Sequence, residues 1–162
     1  MYNKVKIFYV LILLLFSSIF IIGCTNQSFN DNIKLKDQYK EKYSNQFSTR
    51  FELLTKLSIL LYNNSLENEY GDIRTLDGYK DFLNDYKNVN DKEQQKMVNN
   101  IKGFYDNYLG LVMNIGMEQI IKEKYEKGES KSIRDNTKMK ENNRNMQIEC
   151  KNYLDNLIVY FN

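Results

Sequence analysis

Residues 39–61 read YKEKYSNQFSTRFELLTKLSILL. Tyr39, Tyr43, Phe47, Phe51, Leu54, Leu57 and Leu61 recur at spacings of three and four, which is the period of one helix face. Charged residues such as Lys36, Glu41 and Lys56 fall between them, as on an amphipathic helix. No Gly or Pro interrupts the chain from Asp31 to Leu66. The pattern therefore predicts one long helix, capped by a residue between Asn30 and Asn32. Asn63-Asn64 are expected to begin its end and Gly71 to complete the turn.

Downstream, Thr75 is placed to cap a short helix with the stripe Leu76, Tyr79, Phe82, Leu83 and Tyr86. Gly78 weakens that helix by roughly 1 kcal/mol relative to Ala. Asn88 to Asp91 form a polar break, and Asn90-x-x-Glu93 has the form of a capping box with Asn in place of Ser or Thr. A third helix carries Met97, Ile101, Phe104, Tyr108, Leu111, Ile115 and Tyr125, and Gly128 is expected to end it. Gly103, Gly110 and Gly116 lie inside it, where they either let another helix approach closely or mark a kink near Gly110. From Glu129 to Asn145 only Ile133 and Met139 are large and apolar, so this is a loop or an exposed helical extension. A last helix runs to the C-terminus with Leu154, Leu157, Ile158 and Phe161 facing inward. No segment alternates with period two over strand length. The expected fold is all-α, a small bundle of about four helices, one long and one short.

Upstream the character changes. Lys4 and Lys6 precede sixteen residues, Ile7 to Ile22, that are apolar or aromatic except for Ser17-Ser18. A spanning helix wants about 20 apolar residues, so the run is short for a permanent anchor. A positive head, a short apolar core and a small residue before a cut site describe a secretory signal peptide. Ile21-Ile22-Gly23-Cys24 resembles the lipobox of bacterial lipoproteins, with Ile21 in a place more often held by Leu. The resemblance implies cleavage after Gly23, a diacylglyceryl group on the Cys24 thiol and acylation of the new amine. Two or three chains, at about 0.8 kcal/mol per buried methylene, then hold the protein on a bilayer. The alternative is an ordinary signal anchor in which Cys24 is incidental. The expected organisation is a signal peptide over 1–23, a lipidated Cys and polar tether over 24–32, and one helical domain over 33–162.

Removing 23 of the 162 residues leaves 139, enough for one domain with a real core. The formal charge of +2 resides in Lys4 and Lys6, so the remainder carries 21 basic and 21 acidic residues. A neutral domain with scattered charges has no electrostatic footprint for nucleic acid. His, Pro, Trp and Ala are absent while Asn, Lys, Ile and Tyr abound, a codon bias of a very AT-rich bacterial genome. Cys150 is the only cysteine after Cys24, so no disulfide within the mature chain can form. It sits among Met146, Tyr153 and Leu157 in the apolar pattern, as a buried thiol or as the link of a disulfide dimer.

Without His, neither a Ser-His-Asp nor a Cys-His arrangement is available, and no His metal site. No Gly-rich phosphate loop is present. Glu67 with Glu69, or Asp72 with Asp77, form acidic pairs near a turn, without the spacing of a calcium loop. No catalytic residue, cofactor or metal is therefore expected. Of 13 tyrosines, Tyr2 and Tyr9 precede Cys24, and most of the other 11 fall on core stripes. Tyr62, Tyr70 and Tyr105 fall off them and are the candidate contact residues, since exposed Tyr is favoured at interfaces. Edge-of-core packing is the alternative for each.

These features describe a non-enzymatic interaction module anchored to a membrane through Cys24, with an unknown protein ligand. AT-rich composition, irregular lipobox and helical body are similar in style to the plasmid-encoded outer-surface lipoproteins of Borrelia-type spirochaetes. That likeness implies binding of host or other extracellular proteins. The alternative is a self-protection lipoprotein, for bacteriocin immunity or phage exclusion, acting at the cell's own membrane. A scaffold or accessory subunit of an envelope complex is a third class.

Overall fold

The computed structural model describes residues 33–71, 73–128 and 137–162. The signal-peptide, lipobox and tether expectations, together with Asp72 and Ile133, lie outside them. The chain divides into two units, Met1–Ile33 and Lys34–Asn162, and the second is built from α1 (Asp37–Lys42), α2 (Asn45–Leu66), a 3-10 turn (Ile73–Leu76), α3 (Asp77–Asp85), α4 (Lys92–Glu126) and α5 (Thr137–Ile158). Among the described residues there is no strand, only an isolated antiparallel bridge between Leu35 and Phe161. The fold is an all-α bundle, and its longest helix is α4, with 35 residues.

The first long helix expected from the sequence is broken at Tyr43 and Ser44. Tyr43 is extended, at φ −113° and ψ 162°, and the Ser44 hydroxyl accepts a hydrogen bond from the Phe47 N–H at 3.2 Å. Ser44 thus serves as a helix cap, a use of its side chain that competes with continuing the helix. The extended Tyr43 sends its hydroxyl to Asp91, which it reaches at 2.8 Å. α2 ends at Leu66, and the left-handed residue beyond it is Asn68, at φ 60°, rather than Gly71. Gly71 instead donates its N–H to the Tyr108 hydroxyl at 3.4 Å, tying the turn to α4.

Two other caps differ from expectation. α3 follows directly on the 3-10 turn that contains Thr75, and its cap position is Leu76, with no side-chain cap. α4 is capped by Asp91, one residue beyond Asn90; its carboxylate accepts from the Gln94 N–H at 2.8 Å. At the other end of α4, Gly128 takes φ +72° and donates to the Tyr125 carbonyl at 3.0 Å, closing the helix as a left-handed C-terminal residue.

The core is aromatic. Phe47 contacts the rings of Phe51, Phe82 and Tyr86, and Phe51 stacks on Phe161 with centroids 5.8 Å apart. Met97, Ile101, Phe104, Tyr108 and Leu111 of α4 are all buried, as their spacing implies. Cys150, Leu154 and Leu157 meet them from α5, whereas Ile158 is exposed. Beyond Leu111, α4 projects further, and Met113, Met117, Ile120 and Tyr125 are exposed.

Lys34 to Lys36, where the chain joins this unit, are clamped to its C-terminus. The Lys36 N–H donates to the Tyr160 carbonyl and the Asn162 N–H to the Lys34 carbonyl, both at 3.0 Å. The Leu35 N–H donates to Glu52 at 3.1 Å, and Leu35 is fully buried. Burial raises the Glu52 pKa, but the Lys56 ammonium and the Leu35 N–H outweigh it and hold the carboxyl below its ordinary value.

Candidate functional site

Where α2 stops, α4 and α5 continue, and the turn after α2 closes one side of the gap between them. The result is an open cleft of about 420 Å³. Lys140, Asn143, Arg144 and Gln147 line it from α5, at positions one face of a helix presents together. Ile115, Glu118 and Gln119 line it from α4, and Asn68 and Tyr70 from the turn.

Its walls are held by polar contacts. The Gln147 side chain donates to the Ser65 carbonyl at 3.1 Å, fastening α5 to the end of α2. The Asn114 amide donates to the Asn143 side-chain oxygen at 2.9 Å, fastening α4 to α5. Further along the same seam, Gly103 faces the Tyr153 ring and Gly110 faces Met146. Tight packing of α4 on α5 is therefore the role of these two glycines; Gly116 has no such neighbour.

Charge in the cleft is uneven. Lys140 and Arg144 are exposed and form no ion pair among the described residues, against the single carboxylate of Glu118. Burial first, and the Glu118 charge second, push the Tyr70 hydroxyl above its ordinary pKa, so at neutral pH it is a hydrogen-bond donor. The arrangement offers hydrogen bonds, a ring edge and a positive balance.

Of the three tyrosines singled out from the sequence, Tyr70 alone lines this cleft. Tyr62 is half-buried, and its carbonyl accepts from the Ser65 hydroxyl at 2.7 Å. Tyr105 is not at the surface: it is 8% exposed and stacks on Tyr79 with centroids 5.8 Å apart. α3 packs against that side of α4 and widens the buried face by one position. Glu67 and Glu69 are exposed, and Asp77 lies 3.4 Å from the Lys80 ammonium. No group of three or more potential metal ligands occurs among the described residues. Sequence reasoning missed Arg144, Lys140 and Glu118. Their only signal is the shared helical face of 140, 143, 144 and 147 in a polar segment.

Depressions also occur elsewhere on the described residues. One, of about 310 Å³, runs from Lys40 of α1 along α2 past Glu52 and Lys56 and includes Ser48, whose buried hydroxyl has no hydrogen-bond partner. Another, of about 320 Å³, lies beside Lys96, Asn156 and Tyr160. The first is formed by the consecutive helices α1 and α2 and the second lies at the clamped end, whereas α4, α5 and the turn after α2 converge on the cleft. Comparison of the chain with protein families, with curated proteins and with solved structures finds no match.

Proposed function

We propose that the chain is a surface lipoprotein, cut after Gly23 and acylated on Cys24, whose helical domain is a non-enzymatic interaction module. The observation that carries this reading is Ile21-Ile22-Gly23-Cys24 standing directly after a sixteen-residue apolar run. Among the described residues no helix is long and apolar enough to cross a membrane. In this reading attachment falls to the acyl chains, and two of them suffice where one is marginal.

The placement of the clamp supports the same reading. The helical unit begins at Lys34, at the end that carries Leu35, Tyr160 and Phe161. Fifteen residues of α2 separate Phe51, which stacks on Phe161, from Leu66 at the start of the cleft turn. At 1.5 Å per residue that is about 22 Å of helix. Within this unit the cleft therefore lies well away from the end that carries Leu35 and Phe161.

Protease treatment of intact native cells, with a Cys24→Ala form alongside, tests the proposal. The expected result is wild-type protein shaved from the cell surface and a variant that no longer fractionates with membrane. Wild-type protein that fractionates with membrane yet resists protease until the envelope is broken would remove the extracellular ligand and favour self-protection at the cell's own membrane. Unchanged fractionation of the variant would remove the lipid anchor.

A further inference from the structure

We propose that the cleft binds an extended peptide segment bearing a carboxylate side chain, with Arg144 and Lys140 as its anion-recognising residues. The inference rests on the reading of the domain as an interaction module, and not on acylation of Cys24.

Arg144 and Lys140 stand one helical turn apart on the same wall, exposed and unpaired among the described residues. A guanidinium presents a planar fork that matches a carboxylate, while an ammonium adds a point charge beside it. Only Glu118 opposes them, so the cleft attracts one negative group and repels a strongly acidic run at its far wall. The remaining polar groups suit a peptide backbone. Asn68 and Gln119 each offer a donor and an acceptor, and Asn143 keeps its amide N–H groups because only its oxygen is engaged by Asn114. The half-buried Tyr70 supplies a hydroxyl donor and a ring against which a side chain can lie.

Shape decides between an extended chain and an enclosed small molecule. The cleft is open along its length and lined from three elements. Pockets for small ligands bury most of the ligand surface in apolar walls, and here Ile115 is the sole aliphatic lining residue. Because Gln147 and Asn143 are already bonded across the helices, the walls are set before a ligand arrives, which lowers the ordering cost of binding.

The test uses the full-length protein in detergent against an array of random octapeptides. Each peptide is made twice, once with Asp and Glu and once with Asn and Gln in their places, and a glycan array is run in parallel. The acidic versions are expected to bind about 10-fold tighter or better, and the preference to shrink as salt is raised from about 0.05 to 0.5 M. Arg144→Gln is expected to remove most of the preference and Lys140→Gln part of it, whereas Glu118→Gln strengthens binding of acidic peptides. All three side chains lie on the surface of the cleft, and unchanged circular dichroism and Tm certify that the variants fold. Equal binding of the acidic and amide sets, indifference to Arg144→Gln, or binding of glycans without peptides would each overturn the proposal. Cells from which the protein is shaved as expected, with no acidic peptide bound in vitro, would leave the anchored reading standing and this one refuted. Acidic-peptide binding by a chain found unacylated would do the reverse.

Discussion

The ring of Tyr153 on α5 lies so close to Gly103 on α4 that a Cβ at 103 would sit 2.2 Å from two ring carbons. Seven residues further along α4 and seven back along α5, Gly110 meets Met146 at 3.0 Å from its would-be Cβ. The antiparallel α4–α5 seam is thus built on two glycines at heptad spacing, each covered by a long side chain from the partner helix.

Gly103→Ala is expected to destabilise the domain by about 1–3 kcal/mol, because the Tyr153 ring must leave its place. Helix propensity acts the other way, at roughly 1 kcal/mol in favour of Ala. Gly116→Ala, where nothing lies within 4 Å, isolates that second effect and is expected to raise Tm. Opposite signs in thermal unfolding confirm the seam; equal shifts of either sign refute it.

The Ser58 and Tyr79 hydroxyls are 2.7 Å apart in the core and lie 2.8 and 3.2 Å from the Leu54 carbonyl, so with one hydrogen each, one hydroxyl donates to the carbonyl and the other to its hydroxyl neighbour. Tyr79→Phe is expected to cost about 1–2 kcal/mol with little change in packing. Combined with Ser58→Ala, the loss should fall short of the two single losses added, since both changes remove one hydrogen bond. Strict additivity in denaturant unfolding would show that the two hydroxyls act independently.

Much of this core was legible as periodicity. Phe47, Phe51, Leu54 and Leu61 are buried, as are Met97 through Leu111 on their stripe. What periodicity could not show is where a backbone breaks without losing phase. Tyr39, Tyr43 and Phe47 keep helical spacing across an interruption that depends on Ser44 capping and on a bond from Tyr43 to Asp91, 48 residues away. Tyr105 was misplaced for a related reason: its burial comes from α3, a neighbour that α4's own sequence does not reveal. Tyr125 continues the stripe and is exposed, because a stripe records period and not the neighbours that cover it. The cleft was least legible, since Arg144 and Lys140 lie in a polar run and gain meaning only from Glu118 and the turn opposite.

Asp91 ties the end of α1 to the start of α4, accepting from Tyr43, capping α4 and pairing with Lys42 at 2.8 Å. The Lys42 ammonium, then the Gln94 N–H and the Tyr43 hydroxyl, hold its carboxyl well below the ordinary value of 3.8. With the folded pKa depressed, the stabilisation is complete above the unfolded value and is lost as pH falls below about 4 toward the folded one. Asp91→Asn keeps an oxygen for the cap but no charge for Lys42, so its Tm should fall less steeply on acidification. Because the ion pair is exposed, the difference should shrink in high salt. Parallel Tm–pH curves for the two proteins would refute the assignment.

Cys150 is 1% exposed, and burial, with a smaller contribution from the Glu149 charge, pushes its thiol up to about 12. The sequence left open a disulfide-linked dimer through this residue. A buried neutral thiol is neither nucleophile nor partner for exchange. In the folded protein it should resist an aromatic disulfide reagent at about pH 8, and react only as fast as the domain unfolds. Prompt reaction without denaturant, or a reducible dimer on a gel, would contradict this.

Cleavage before Cys24 and acylation of its thiol are both read from the intact mass of the protein extracted from its native membrane. The expected chain begins at Cys24, lacks residues 1–23 and carries a diacylglyceryl group, with Cys24→Ala abolishing the added mass. A chain that retains residues 1–23, or one whose Cys24 is a free thiol, would contradict it.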